Sequence, residues 1–461
     1  MNLPERRYAD FTEGDIPKQL LQFTWPMLAG NALQAFYNMV DSFWVGRFLG
    51  PAGLAAVSVS FPIIFALISL VMGLTMATTT LVSQYFGAKD EYMMKKAVNN
   101  SLTLLFWSAL AISFIGIVFR LRILRLVNTP EEIIGDAASY LLVFLGGLVF
   151  MFLYNVLSAI LRGLGDSRTP LLFLVYSTVI NIILDPVLIF GWGPIPRLGV
   201  SGAALATVIA QGISAFLAVR YLDKVGHLIS LRLQDLSFDR HLTALTLRIG
   251  LPAGIQQMVV SLGNLTVSSF INSFGQTVVA AYGAAGRLDQ FAFMPAMSLG
   301  IATSAFVGQN LGANKQERVH ATVRASLLQV TLFTLPAVLL ALLAPTALLS
   351  LFTDDQAVLE IGGQYLRIAA FSYLPFAWMF VYNGVLRGAG DTLPTMFFTI
   401  GSLWVVRVPL ARYLSRLPSL GVRGIWWGIA ISPLFGLLFS VLYYLTGRWQ
   451  RAAVTRERSR N

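Results

Sequence analysis

The chain has 461 residues, of which 56% are hydrophobic and only 12% charged, with a formal net charge of +11 and no cysteine. A soluble domain carries about a quarter charged residues, so this composition excludes disorder and argues against an ordinary soluble enzyme. The missing cysteines remove disulfides, Cys-ligated zinc, iron–sulfur clusters and thiol nucleophiles from consideration.

Apolar runs of about 20 residues, the length that crosses a bilayer as a helix, recur from end to end. Twelve spans are predicted in chain order, near 20–48, 54–80, 98–119, 138–161, 170–191 and 201–221, then 245–274, 278–308, 323–351, 365–386, 394–413 and 424–446. The opening stretch Met1–Gln19 is polar, with Glu5, Arg6, Arg7, Asp10, Glu13, Asp15 and Lys18, and lacks the pattern of a cleavable signal. Counted over alternate loops and tails, 22 Lys and Arg fall on one side of these spans and 8 on the other. The positive-inside rule then predicts a multi-pass protein of the inner (cell) membrane with both termini cytoplasmic. The basic tail from Arg448 to Arg460 reads as an anchor for lipid headgroups, not as a nucleic-acid site.

The two halves repeat with a shift close to 225 residues. SQYFGAKDEYMMKKAVNNSL (83–102) matches GQNLGANKQERVHATVRASL (308–327), LRGLGD (161–166) falls on LRGAGD (386–391), and GVSGAALAT (199–207) falls near GVRGIWWGI (421–429). Each copy holds six spans, an even number, so both insert with the same polarity and the symmetry axis runs along the membrane normal. The predicted fold is therefore an all-α polytopic membrane protein, with twelve transmembrane helices in two six-helix bundles related by a pseudo-two-fold axis. The amino-terminal lobe is expected over 1–221, a cytoplasmic linker over 222–243, and the carboxy-terminal lobe with its basic tail over 244–461.

Of 22 acidic residues, only Asp41, Asp185 and Asp289 fall well inside predicted spans. A carboxylate at that depth is costly unless paired, wetted or protonated, so such a group can load and release a proton or bind a cation. Asp41 lies on the helical line Gln34, Tyr37, Asn38, Asp41, whose spacings place polar groups on one face. Pro26, earlier in the same span, removes a backbone donor and is expected to bend the helix as a hinge. Asn181 and Asp185 share a face of the fifth span, and Pro186 leaves the carbonyl of Ile182 without its helical N–H. Thr207 lies near the start of the sixth span. With the predicted orientation, these groups sit about 9–12 Å below the outer surface. Asp41, Asn181, Asp185 and Thr207 thus form a candidate ion-coupling set for H+ or Na+, with Gln34, Tyr37, Asn38 and Asn155 as candidate cargo contacts beside cleft-lining aromatics and methionines.

The second half carries no matching set, since Asp41 shifts onto Thr266 or Val267 and Asp185 onto the neighbourhood of Pro409. Its one deep acid is Asp289, with Arg287 two residues earlier on a different helix face, so the two are not a simple pair. Either a structural or a cargo- or ion-handling role is open to them. Arg407, near the outer end of the eleventh span, is expected to snorkel to the interface. No Lys follows a Gly, which removes a Walker A loop, and there is no HExxH. His227, His241 and His320 read as solvated side chains, so no cofactor and no metal is expected beyond Na+ at the coupling residues.

With these motifs in order, the chain resembles the multidrug and toxic compound extrusion (MATE) family. The resemblance covers essentially the whole chain and rests on WPMLAGNALQAFYNMVDSFWVG (25–46), the doubled LRGxGD, VGQNLGA (307–313), and NIILDP with GVSGAALAT. It implies export of amphipathic, often cationic, compounds by exchange with protons or sodium, through two six-helix bundles around a cleft that opens to each side in turn. Within the family the chain resembles the DinF-like prokaryotic branch, which implies an ion site at Asp41, Asn181, Asp185 and Thr207. The NorM-like pattern of acids in the seventh and tenth spans is missing, the seventh span offering Gln256 and Gln257 instead. A lipid-linked saccharide flippase of the same superfamily is the alternative, but it calls for a more cationic cleft. An intramembrane enzyme would need clustered His, a Ser–base pair or a metal motif, none of which occurs. The expected partners are small amphipathic molecules and the bilayer, with a monomer sufficing because one chain holds both lobes.

Overall fold

A computed structural model describes residues 8–194, 196–225 and 237–457. Residues 226–236 of the predicted linker, with Glu5, Arg6, Arg7, His227, Arg458 and Arg460, lie outside the described residues. Within the described residues the secondary structure is helical, without strands. In chain order come α1 (Ile16–Phe48), α2 (Gly50–Gly87), α3 (Glu91–Leu126), α4 (Glu131–Gly146), α5 (Leu148–Gly163), α6 (Arg168–Phe190) and α7 (Val200–Val225). These are followed by α8 (Arg240–Asn272), α9 (Gln276–Gly312), α10 (Gln316–Leu343), α11 (Pro345–Leu349) and α12 (Gln356–Ala389). The chain then runs through α13 (Thr392–Ile400), a π-helical segment Gly401–Arg407, α14 (Val408–Ser415), α15 (Val422–Leu445), a 3-10 turn Arg448–Ala452 and α16 (Val454–Glu457).

Among the described residues nine helical segments are each long and apolar enough to cross a membrane, and the bent pair α4–α5 makes a tenth. This is a multi-pass membrane protein. The helices α1 and α8 are long as well, with 33 residues each, but are not among these nine. Most helices outrun the predicted spans: α2 covers 50–87 against 54–80, and α3 covers 91–126 against 98–119. Apolarity ends where the headgroups begin, while the i to i−4 hydrogen bonds continue into the polar region. Three predicted spans are interrupted, the ninth at Ala344, where α10 ends and the short α11 begins. The fourth span bends by 47° at Gly147, where Gly146–Gly147 weakens the helix and the Val208 side chain occupies the place of a Cβ. The eleventh span changes to π-helix over Gly401–Arg407.

The chain divides into two compact units, one built on Trp25–Leu251 and the other on Pro252–Asn461 together with Asp10–Thr24. The first helix therefore gives its opening turns to unit 2 and the rest to unit 1, changing over beside Pro26, and α8 does the reverse at Pro252. Despite Pro26, α1 continues as one helical element.

In unit 2 the repeated GQNLGAN motif holds this amino-terminal strap. The Phe11 N–H donates to Gln309 Oε1 (2.9 Å), and Asn310 Nδ2 donates back to the Phe11 carbonyl (3.2 Å). Lys315 Nζ reaches the Thr12 carbonyl at 2.9 Å, while Arg318 donates to the carbonyls of Phe11 (3.0 Å) and Gly14 (3.1 Å). The Phe11 ring, fully buried, stacks on Phe306 with centroids 3.7 Å apart. Phe11→Ala removes this anchor at a cost of about 3–5 kcal/mol. It is expected to lower the thermal midpoint and to speed amide exchange and proteolysis over residues 8–24, both measurable in detergent.

In unit 1 the entry to α8 is fixed by Asn100, whose Oδ1 accepts from the Asp239 N–H and from Thr243 Oγ1, both at 2.9 Å. Asp239 caps the helix through the Leu242 N–H (2.8 Å), and its hydrogen bond with Lys96 holds its carboxyl below the usual carboxylate range. The doubled LRGxGD motif is a helix stop. Gly165 and Gly390 take the left-handed conformation at φ +86 and +89 that ends a helix. Asp166 then accepts from the N–H groups of Arg168 and Thr169 at 3.0 Å, starting α6.

Candidate functional site

The α6–α7 pair is the most extensive packing in unit 1. Gly202, Ala206 and Ala210, one helical turn apart, are buried and let the backbones approach closely. On α6 the same spacing puts Ser177, Asn181 and Asp185 on one face, all three buried. Asn181 Nδ2 donates to Asp185 Oδ1 at 3.1 Å. The other two oxygens, Asn181 Oδ1 and Asp185 Oδ2, are buried with no hydrogen-bond partner among the described residues, as are Ser177 Oγ and Gln211 Oε1. Gln211 stands one turn beyond Thr207 on α7.

The first helix completes the cluster. Tyr37, buried, donates its hydroxyl to Thr207 Oγ1 at 3.0 Å. Asp41, one turn on and half-buried, accepts no hydrogen bond from any described residue. It lies within electrostatic reach of Asp185, Tyr37 and Tyr140. The sequence-predicted Asp41, Asn181, Asp185 and Thr207 are thus gathered in one region of unit 1. Acceptor oxygens predominate there, a composition that suits a small cation, a proton or ordered water.

The cargo candidates are less unified. Gln34 Nε2 donates to Asn38 Oδ1 at 3.2 Å, with Asn38 exposed. Asn155 instead turns its amide back to the Met151 carbonyl of its own helix (2.8 Å), and no hydrogen bond among the described residues ties it to α1. Sequence reasoning passed over Tyr140, Ser177 and Gln211. The last two could have been found by the four-residue spacing from Asn181 and Thr207. Tyr140, at the head of the apolar run Leu141–Leu145, carried no such signal.

In unit 2, Asp289 is buried and accepts hydrogen bonds from both Tyr365 and Tyr373, the latter at 2.6 Å. Arg287 points elsewhere, over the Phe352 ring at 5.7 Å. One expectation is corrected: Arg407 does not snorkel along its own helix to an interface. Its Nε donates to Ser432 Oγ (2.7 Å) and its Nη1 to Asn264 Oδ1 (3.3 Å), because the π-helical turns ending at Arg407 rotate the side chain onto α15 and α8. Gln256 is engaged structurally, accepting from Arg387 (3.0 Å) and donating to Thr399 (2.6 Å).

The family model MatE matches residues 26–187 and again 252–413, together more than two thirds of the chain. The chain belongs to the MatE family. Both matches open on a proline, Pro26 and Pro252, at the changeover points of α1 and α8, so the MatE repeat and the internal sequence repeat coincide. Among curated MatE relatives, the probable multidrug resistance protein YpnP of Bacillus subtilis is 36% identical, over 96% of this chain and 97% of its own. The probable multidrug resistance protein YoeA of the same organism is 37% identical over 94% of each chain. A crystal structure of MATE in the straight conformation matches with a TM-score of 0.88 and 26% identity, covering 98% of this chain and 99% of that one.

Proposed function

We propose that this protein is a secondary active exporter of amphipathic, often cationic, compounds, driven by exchange with protons or sodium ions bound in unit 1. It works in the cell membrane as a monomer with both termini cytoplasmic. The observation that carries this reading is the pair of orphaned buried oxygens, Asp185 Oδ2 and Asn181 Oδ1, beside a second acid, Asp41. A buried acceptor without a donor costs roughly 1–3 kcal/mol, and two carboxylates sharing one low-dielectric site repel. A cation or proton relieves both penalties. The curated relatives named as multidrug resistance proteins support the cargo class.

In this scheme Asp41 and Asp185 load the ion, Asn181 and Thr207 orient it, and Gln34, Tyr37, Asn38 and Asn155 contact cargo. Neutralising the carboxylates lets α1 repack about Pro26, which shrinks the cargo pocket and releases the compound outward. Asp289, already saturated by two phenols, serves as a brace of unit 2, and Arg287 lies apart from it. One pH unit supplies about 1.4 kcal/mol per proton, and 100 mV about 2.3 kcal/mol per net charge moved. One proton exchanged for one monovalent cationic cargo moves no net charge and draws on the pH term alone, roughly tenfold accumulation, whereas a second cation held by the two acids makes the exchange electrogenic and adds the voltage term.

The test is efflux of a fluorescent amphipathic cation from reconstituted vesicles, with proton and sodium gradients imposed separately. Efflux is expected to follow one of the two gradients and to stop when it is collapsed. Indifference to both would remove the exchange mechanism.

A further inference from the structure

The second unit carries a charged group that its fold leaves unspent. Arg407 sits at the end of the π-helical segment, a departure from regular helix that concentrates at functional positions. Its guanidinium is fixed on two sides, by Ser432 Oγ at 2.7 Å and Asn264 Oδ1 at 3.3 Å, and Ser432 is itself anchored to the Ile429 carbonyl at 3.2 Å. The nearest deep acid does not neutralise it by contact. Asp289 is within electrostatic reach but gives its oxygens to Tyr365 and Tyr373. Nη2 and one N–H of Nη1 therefore have no partner among the described residues.

The side of α8 that bears Asn264 carries further donors, Ser261 about one turn and Gln257 about two turns from it. Gln257, Ser261 and Asn264 follow one another at four and three residues on one face of α8. Asn264 is exposed and its Nδ2 is free, and neither Gln257 nor Ser261 has a side-chain hydrogen bond among the described residues. A guanidinium and polar side chains are costly against hydrocarbon, so this face calls for a polar partner. Its chemistry is the reverse of the unit 1 cluster: donors and positive charge in place of orphaned acceptors.

We infer that Arg407, positioned by Ser432 and Asn264, is the binding group of a subsite for the anionic group, a carboxylate or phosphate, of an amphipathic cargo, with Ser261 about one turn along α8 as the next donor. The planar fork offers two parallel N–H groups to such an oxyanion, an arrangement a lysine cannot reproduce. Cargo would then include molecules that carry an acidic group on an apolar ring system. This rests on the exporter reading for the identity of the cargo, but binding at the subsite is measured without any gradient.

The experiment compares two dyes that differ by one ester. Rhodamine 110 carries a free carboxylate, and rhodamine 123 is its methyl ester. Their Kd values are measured by fluorescence polarisation on the full-length protein in phospholipid-free micelles. The ratio of the ester's Kd to the acid's is expected to fall at least tenfold in Arg407→Gln, and to fall partway in Arg407→Lys. Asn264→Leu, which leaves the Ser432 bond in place, should lower the ratio in the same direction and guards against misfolding of the Arg407 variants. A ratio that stays constant, with both dyes weakened alike, makes Arg407 a brace of the bundle and overturns the proposal. Displacement of rhodamine 110 by added phosphatidylglycerol, with no displacement of the ester, would assign the subsite to lipid headgroups and overturn it as a cargo site. Failure of gradient-driven transport with the Kd ratio still responding to Arg407 would sink the exchange mechanism alone.

Discussion

Asp185→Asn is expected to reduce gradient-driven efflux by at least tenfold while leaving a folded, cargo-binding protein. Asparagine is nearly isosteric with aspartate and still presents an oxygen to Asn181 Nδ2, so the 3.1 Å hydrogen bond inside α6 survives. What disappears is the charge and Oδ2, a buried acceptor with no hydrogen-bond partner among the described residues. Asp41→Asn should act in the same direction. That acid also lacks a hydrogen-bond partner among the described residues and shares the local field with Asp185 and Tyr140. The two variants are compared with wild type in vesicles under separate proton and sodium gradients, with size-exclusion profiles and dye affinity as controls for folding. Normal coupling in both variants would remove the unit 1 acids from the mechanism, whatever their geometry.

The acids themselves were legible because charge inside an apolar run is costly and therefore conspicuous. Asp41, Asp185 and Asp289 stand out on that ground alone, and the three- and four-residue spacings name Tyr37, Asn38 and Asn181 beside them. Which acid is already satisfied was not legible. Asp289 is saturated by two tyrosines that lie 76 and 84 residues away in the chain, and no local pattern connects them. Tyr140 comes beside the acids of unit 1 from a helix that breaks at Gly147, and a tyrosine that opens the apolar run Leu141–Leu145 reads as core. Arg407 was visible as a charge, but its direction depends on a π-helical turn that the residues GSLWVVR do not announce.

The repeat motifs show the same division. Their recurrence at a fixed shift was plain, whereas their work depended on distant partners. LRGxGD turned out to be a helix stop, legible in principle from Gly before Asp. GQNLGAN holds the backbone of Phe11, some 300 residues earlier, through Gln309 and Asn310. A polar segment before the first span reads as a solvated tail, and only long-range contacts, the hydrogen bonds to Phe11 and its stack on Phe306, make it part of unit 2.

Gly384→Ala is expected to destabilise unit 2 by about 1–3 kcal/mol, the usual cost of overpacking, and Gly384→Leu to prevent its folding. The reason lies in the α9–α12 pair, the most extensive helix contact in the molecule. Gly384 and Gly388 form a GxxxG spacing on α12 that faces Gly300 and Ser304 on α9. A Cβ at Gly384 would overlap the Gly300 carbonyl oxygen, and one at Gly388 the Ser304 carbonyl oxygen. Both obstacles are backbone, so no side chain can rotate aside, and the helices would have to separate. Separation would also strain the bonds from Tyr365 and Tyr373 to Asp289, which span the same two helices. Gly286→Ala is the matched control: it lies in α9 with nothing within 4 Å of its added Cβ, and gains up to about 1 kcal/mol of helix propensity. Thermal unfolding in detergent should therefore move the two variants apart, Gly384→Ala downward and Gly286→Ala level or slightly upward. Equal midpoints would mean that the close approach of α9 and α12 contributes nothing to holding unit 2 together.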